Sequence, residues 1–153
     1  MTIKKDEHAG LESEIQGTWW LVSREDFTQE GIKRIDPVLG ADPIAILVYA
    51  KGHFAAQFMK KDRSNDLIAQ PVAAGKNNTA AVAGYDAYFG NYRVDPNSGQ
   101  VEHTLVGSIN PANIGLTVHR DLTVANNILT IRLATTTAEN EAIMRTLTWK
   151  RIA

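Results

Sequence analysis

From Asn91 to the C-terminus, apolar side chains recur at every second position in short runs separated by turn sequences, a pattern that only β-strands with one buried face satisfy. Tyr92 and Val94 alternate up to Asp95-Pro96-Asn97-Ser98-Gly99. Val101, His103, Leu105 and Ile109 then share one parity, as do Leu116, Val118, Arg120 and Leu122 after Asn110-Pro111-Ala112-Asn113. Asn126-Asn127 precedes a run near Ile128 to Ala134, and Arg145, Leu147, Trp149 and Arg151 form the last. Upstream, a strand opens near Thr18 and runs through Trp20, Val22 and Phe27. The β-branched stretch Ile44–Tyr49 and the stretch His53–Met59 flank Lys51-Gly52 as a hairpin.

The count is about eight strands, joined mostly by turns too short for parallel crossovers. An up-and-down antiparallel meander follows, and closing it into a barrel removes the exposed edges. A β-sandwich is the rival. Two departures from strand are expected: a helical turn at Leu11–Ile15, and a short helix over Thr79–Phe89, alanine-rich between Asn78 as N-cap and Gly90 as stop. The segment with Asp36-Pro37, Gly40 and Asp42-Pro43 reads as a long connection, and Lys60 to Asn78 as irregular. With 153 residues and no linker or repeat, residues 1–153 read as a single domain, of which 1–10 form a loose tail.

Composition excludes several functions. Sixteen basic residues against seventeen acidic ones leave a net charge of -1, which speaks against nucleic acid as a partner. No apolar run approaches the roughly 20 residues that cross a bilayer, and the polar N-terminus lacks a signal-peptide core. The absence of cysteine removes disulfides and thiolate metal sites and fits a reducing compartment, so the expected location is the cytoplasm. His8, His53, His103 and His119 are scattered without metal-site spacing, so no metal is expected, nor any cofactor; no P-loop, dinucleotide fingerprint, zincin or nucleophile-elbow motif occurs.

Gly17-Thr18-Trp19 resembles the Gly-x-Trp signature of the lipocalins. Tyr88-Phe89-Gly90-Asn91-Tyr92, with Asp95, Val101-Glu102-His103, Pro111, Gly115 and Arg120, is similar to the small bacterial and fungal lipocalin-like domain proteins, calycin-type barrels. The resemblance spans about Gly17 to Arg151. It implies an all-β barrel with an interior pocket, Trp19 closing its base, and either Arg151 or Arg145 stacked on that tryptophan. The lack of cysteines and of an export signal departs from secreted lipocalins and argues against transport between cells.

His103 and Arg120 each occupy the apolar row of their strand. A buried guanidinium needs a partner or an anionic ligand, and both residues are expected to face one interior on adjacent strands. Against this stand a hydrogen-bonded core role for His103 and a rim role for Arg120, paired with Asp95 or Glu102. Tyr88 and Tyr92, flanking Gly90, and His53 are further candidate ligand contacts. Trp19, Trp20 and Trp149 read first as core residues, Trp19 being kept as a candidate ligand contact as well. Two functions follow. One is binding of a small, largely apolar molecule with a polar or anionic group in the pocket. The other is a cofactor-free isomerase, cyclase or lyase with His103 as general base or acid and Arg120, with Tyr88 or Tyr92, stabilising an oxyanion. Homo-oligomerisation stays open.

Overall fold

The computed structural model describes residues 10–64 and 81–153. A single helical turn, α1 (Leu11–Glu14), leads into β1 (Gly17–Phe27). A two-residue strand β2 (Lys33–Arg34) and then β3 (Ile44–Ala50), β4 (His53–Met59), β5 (Tyr85–Val94), β6 (Gln100–Ser108), β7 (Thr117–Ala125), β8 (Ile128–Thr136) and β9 (Ala142–Arg151) follow. Each strand from β3 to β9 pairs antiparallel with the next, β1 pairs with β3, and β1–β9 pairing closes an eight-stranded barrel. β2 lies outside the ring, paired with the end of β1 through Asp26↔Arg34 and Phe27↔Lys33.

The expected helix over Thr79–Phe89 is corrected. Thr79 and Ala80 lie outside the described residues, and Tyr85–Phe89 is the first half of β5, paired with β4 on one side and, through Tyr88 and Phe89, with β6 on the other. Ladder pairing on two sides overrides the local helical preference of an alanine-rich segment, because propensity is worth only tenths of a kcal/mol per residue. The helical turn expected at Leu11–Ile15 is α1, whose Leu11 and Ile15 are buried against the barrel. Most of the N-terminal tail, 1–9, lies outside the described residues.

The two ends of the barrel differ. At one, the connections are tight: Lys51-Gly52, the Asp95–Gly99 turn, and Asn126-Asn127, whose φ values of 53° and 62° match a two-residue hairpin turn. At the other end lie the long connections β1–β3, β4–β5 and β6–β7.

α1 and Trp19 plug the tight-turn end. Trp19 is fully buried and donates its Nε1–H to the carbonyl of Ile15 at 2.9 Å. Arg151 lies over its ring, 4.2 Å from the guanidinium carbon to the centroid, and is held by the Glu14 carbonyl at 2.6 Å and Asn127 Oδ1 at 2.9 Å. This settles which arginine stacks on the tryptophan. Gly17 sits at φ 124°, and a Cβ there would come within 2.6 Å of the Ala153 carbonyl oxygen, so the tryptophan's approach depends on glycine two residues before it.

Candidate functional site

The inward rows of the strands leave a cavity inside the barrel. Its volume, taken as the space open to the centre of a water molecule, is about 70 Å³, against the roughly 10–15 Å³ that one water needs on the same measure. Leu47, Phe54, Phe58, Leu105, Leu147 and Trp149 supply much of its apolar wall. Phe54 meets the His103 ring edge-to-face at 4.8 Å, and Phe58 stacks on Tyr88 with centroids 6.3 Å apart. Into this wall are set Tyr49, His103, Tyr88 and Asp86, with three arginines, Arg24, Arg120 and Arg145.

His103 and Arg120 therefore line the same cavity, from β6 and β7. The register pairs His103 with Val118 and Val101 with Arg120, which makes the two diagonal neighbours on the inner face. His103 is buried, and its Nε2 shares a 2.7 Å hydrogen bond with the Tyr49 hydroxyl. Burial, reinforced by the charge of Arg120, lowers its pKa to about 3, so the imidazole is neutral at physiological pH. Arg120 donates to the His119 carbonyl at 3.1 Å. Asp95 and Glu102 are not its partners: Asp95 caps the β5–β6 turn through the Asn97 amide, and Glu102 pairs on the outer face with Arg93 at 2.8 Å and with His119 at 3.1 Å.

Tyr88 lines the cavity, and burial raises its hydroxyl to about 12. The other three candidate contacts do not line it. Tyr92 is buried below, packing edge-to-face on Tyr49 at 5.0 Å, with its hydroxyl near Gln16 and 3.0 Å from Glu12. Trp19 belongs to the plug. His53 is exposed on the outer face of β4, because Phe54, Ala56 and Phe58 take the inward row.

Arg24, Arg145 and Asp86 were not among the expected site residues. Strict alternation from Trp19 and Leu21 would turn Ser23 and Glu25 inward and Arg24 outward. A bulge between Leu21 and Ser23 reverses that parity and sends Arg24 and Asp26 into the barrel. There Asp26 accepts two hydrogen bonds from Arg145, at 2.8 and 3.0 Å, and Arg24 reaches Asp36 at 3.1 Å and Asp26 at 3.7 Å. Asp36 also accepts the Val38 and Leu39 amides, and despite its burial it is held below the usual carboxylate range by Arg24 and those two amides.

Asp86 is different. It is only 4% exposed, and its Oδ1 has no hydrogen-bond partner among the described residues. Burial raises its pKa to about 7, against the pull of the Ala87 amide and of Arg24 and Arg145. Three buried side-chain atoms among the described residues lack a hydrogen bond, Asp86 Oδ1, His103 Nδ1 and Trp149 Nε1, and all three belong to residues lining this cavity. Buried polar atoms are otherwise nearly always satisfied, and among the described residues the unsatisfied ones gather at this cavity.

The titration of Asp86 carries a prediction. Its carboxyl ionises near pH 7 in the folded chain and near 3.8 otherwise. Between those values the folded state holds the extra proton, so stability falls as pH rises through the window and levels off above it. His103 acts with the opposite sign from about pH 3 to 6.5, where the unfolded chain holds the extra proton. Asp86→Asn should therefore change stability little at pH 4 and raise it at pH 8 by up to about 3–4 kcal/mol. Chemical denaturation at the two pH values measures this, and an equal effect at both would mean an unshifted carboxyl.

The model of a family described as lipocalin-like domain matches residues 16–152. The chain belongs to that lipocalin-like domain family. The match spans the barrel from Gln16, just before Gly17, through the stacked Arg151. No curated protein matches the chain. Among the described residues of this lipocalin-like domain, no helix is long and apolar enough to cross a membrane, and no cluster of three or more His, Asp or Glu could hold a metal ion.

Proposed function

We propose that the barrel binds a small, largely apolar molecule carrying an anionic group. The observation that carries this reading is the composition of one cavity: aromatic and aliphatic walls, three guanidiniums, and the three unpartnered buried polar atoms. Apolar concave sites with a few converging polar groups are what small-molecule recognition uses. Guanidiniums partly withdrawn from water bind carboxylates and phosphates through charge-assisted hydrogen bonds.

Acid–base catalysis by His103 is the weaker reading. A histidine with a pKa of about 3 is a poor base near neutrality, where an effective catalytic group titrates close to the working pH. Tyr88, at about 12, is likewise poorly matched to proton transfer, although its hydroxyl can donate a hydrogen bond.

The test uses 2-naphthoate, a fluorescent aromatic carboxylate, beside the uncharged 2-naphthamide. The carboxylate should bind about tenfold or more tightly than the amide. Arg120→Leu should weaken the carboxylate about tenfold and the amide little, as loss of one hydrogen bond to a charged group does. Equal affinities would remove the anionic requirement, and saturable binding of neither would remove the reading.

A further inference from the structure

Ligands with apolar bodies and anionic heads need only the arginines and the apolar wall, so the burial of an acid in the same cavity calls for its own explanation. Asp86 is the second residue of β5, at the strand end that follows the long β4–β5 connection. Arg24 and Asp26, near the end of β1, and Arg145, near the start of β9, lie at the same end of the barrel. Asp86 thus sits below the end with the long connections, in the company of cationic groups, yet forms no salt bridge with any of them, while Asp26 and Asp36 take Arg145 and Arg24. Its Oδ1, buried and without a hydrogen-bond partner among the described residues, belongs to the cavity wall.

We propose, building on the anionic-ligand reading above, that Asp86 is the proton-exchanging contact of the cavity: in its undissociated form it donates a hydrogen bond to a carboxylate-bearing ligand, so that binding takes up a proton from solvent. An ionised Asp86 would oppose the ligand's charge, whereas a protonated carboxyl is a donor to it, so the complex selects the protonated form. The balance is simple: Asp86 carboxylate, one proton and the ligand anion give a complex in which the ligand keeps its charge and Asp86 carries the proton.

Among the described residues, the groups facing Asp86 leave it as the one that responds near neutrality. Arg24 and Arg145 on β1 and β9 and Asp36 on the β1–β3 connection act on it directly, and Asp26 is locked in two hydrogen bonds to Arg145. Asp36 stays ionised. Tyr88 on its own strand and Tyr49 on β3 are held above their ordinary values by burial, Arg120 on β7 stays cationic, and His103 on β6 is neutral.

Three results follow for the full chain with 2-naphthoate as probe. Affinity should fall about tenfold or more between pH 6.5 and 8.5, a range in which the probe itself stays ionised. Calorimetry at pH 7.5 in two buffers of different ionisation enthalpy should show net proton uptake approaching one per site. Asp86→Asn, which keeps the shape and a donor, should bind at pH 8.5 at least as tightly as the native chain does, with a flat pH profile. The carboxyl carbon resonance of Asp86, assigned by its loss in Asp86→Asn, should titrate near pH 7 in the free protein and move upward on adding the probe. Binding that is independent of pH and releases or takes up no proton overturns this inference alone and leaves the anionic pocket standing. A failure of 2-naphthoate to bind at any pH overturns both.

Discussion

Arg145→Met should destabilise the barrel by about 3–5 kcal/mol, as removal of one partner from a buried ion pair does. Arg145 is only 8% exposed and Asp26 only 5%. The two share hydrogen bonds of 2.8 and 3.0 Å across the β1–β9 seam that closes the barrel, at the register position Asp26↔Arg145. Among the described residues, methionine leaves Asp26 only the 3.7 Å approach of Arg24, itself committed to Asp36 at 3.1 Å. The companion double variant, Asp26→Leu with Arg145→Met, should recover most of the loss, because no charge is then stranded. Denaturant midpoints of the three proteins measure both effects. A double variant no better than the single one would mean that the pair contributes packing rather than charge matching.

Trp19→Ala should cost about 3–5 kcal/mol, the range for truncating a large aromatic in a core that cannot collapse around the gap. Trp19, carried by β1, ties two further elements to it: the end of α1 through the Ile15 carbonyl, and β9 through Arg151 lying over the indole. Trp20, 37% exposed on the outer row of the same strand, is the internal control, and Trp20→Ala should cost less than about 1 kcal/mol. Similar losses at both positions would contradict the plug described for the tight-turn end.

The contrast between these two tryptophans shows what the sequence could and could not disclose. Period-two patterning predicted both the strands and the inward faces of β6 and β7, so His103 and Arg120 were legible as members of one interior wall. It failed where the period breaks. The bulge in β1 adds a residue with no compositional mark, and behind it Arg24 and Asp26 exchange faces with Ser23 and Glu25. Ile44–Ala50 is apolar on both rows, which leaves parity unreadable and hid Tyr49, the hydrogen-bond partner of His103. The alanine-rich lead into β5 reads as helix by propensity, and that reading took Asp86 out of the inward row it occupies. His53, a candidate contact from sequence, lies on the outer row: with His53, Ala55 and Gln57 against Phe54, Ala56 and Phe58, the larger apolar residues, not the histidine, decide the inward face. The choice between Arg145 and Arg151 for the tryptophan is a matter of three-dimensional reach. Both point inward from β9, but only Arg151 sits opposite Trp19, in the register Trp19↔Arg151.

The central claim, that the barrel interior is a binding site for an apolar anion, is tested most directly by nuclear magnetic resonance of the isotopically labelled protein titrated with 2-naphthoate. The account predicts saturable shifts of the Arg24, Arg120 and Arg145 side-chain Nε–H signals, together with the Trp149 indole N–H and the methyl groups of Leu105 and Leu147, all on one binding curve. Shifts confined to the exposed outer face, around Trp20, Val22 and Met144, with the interior signals unmoved, would contradict it.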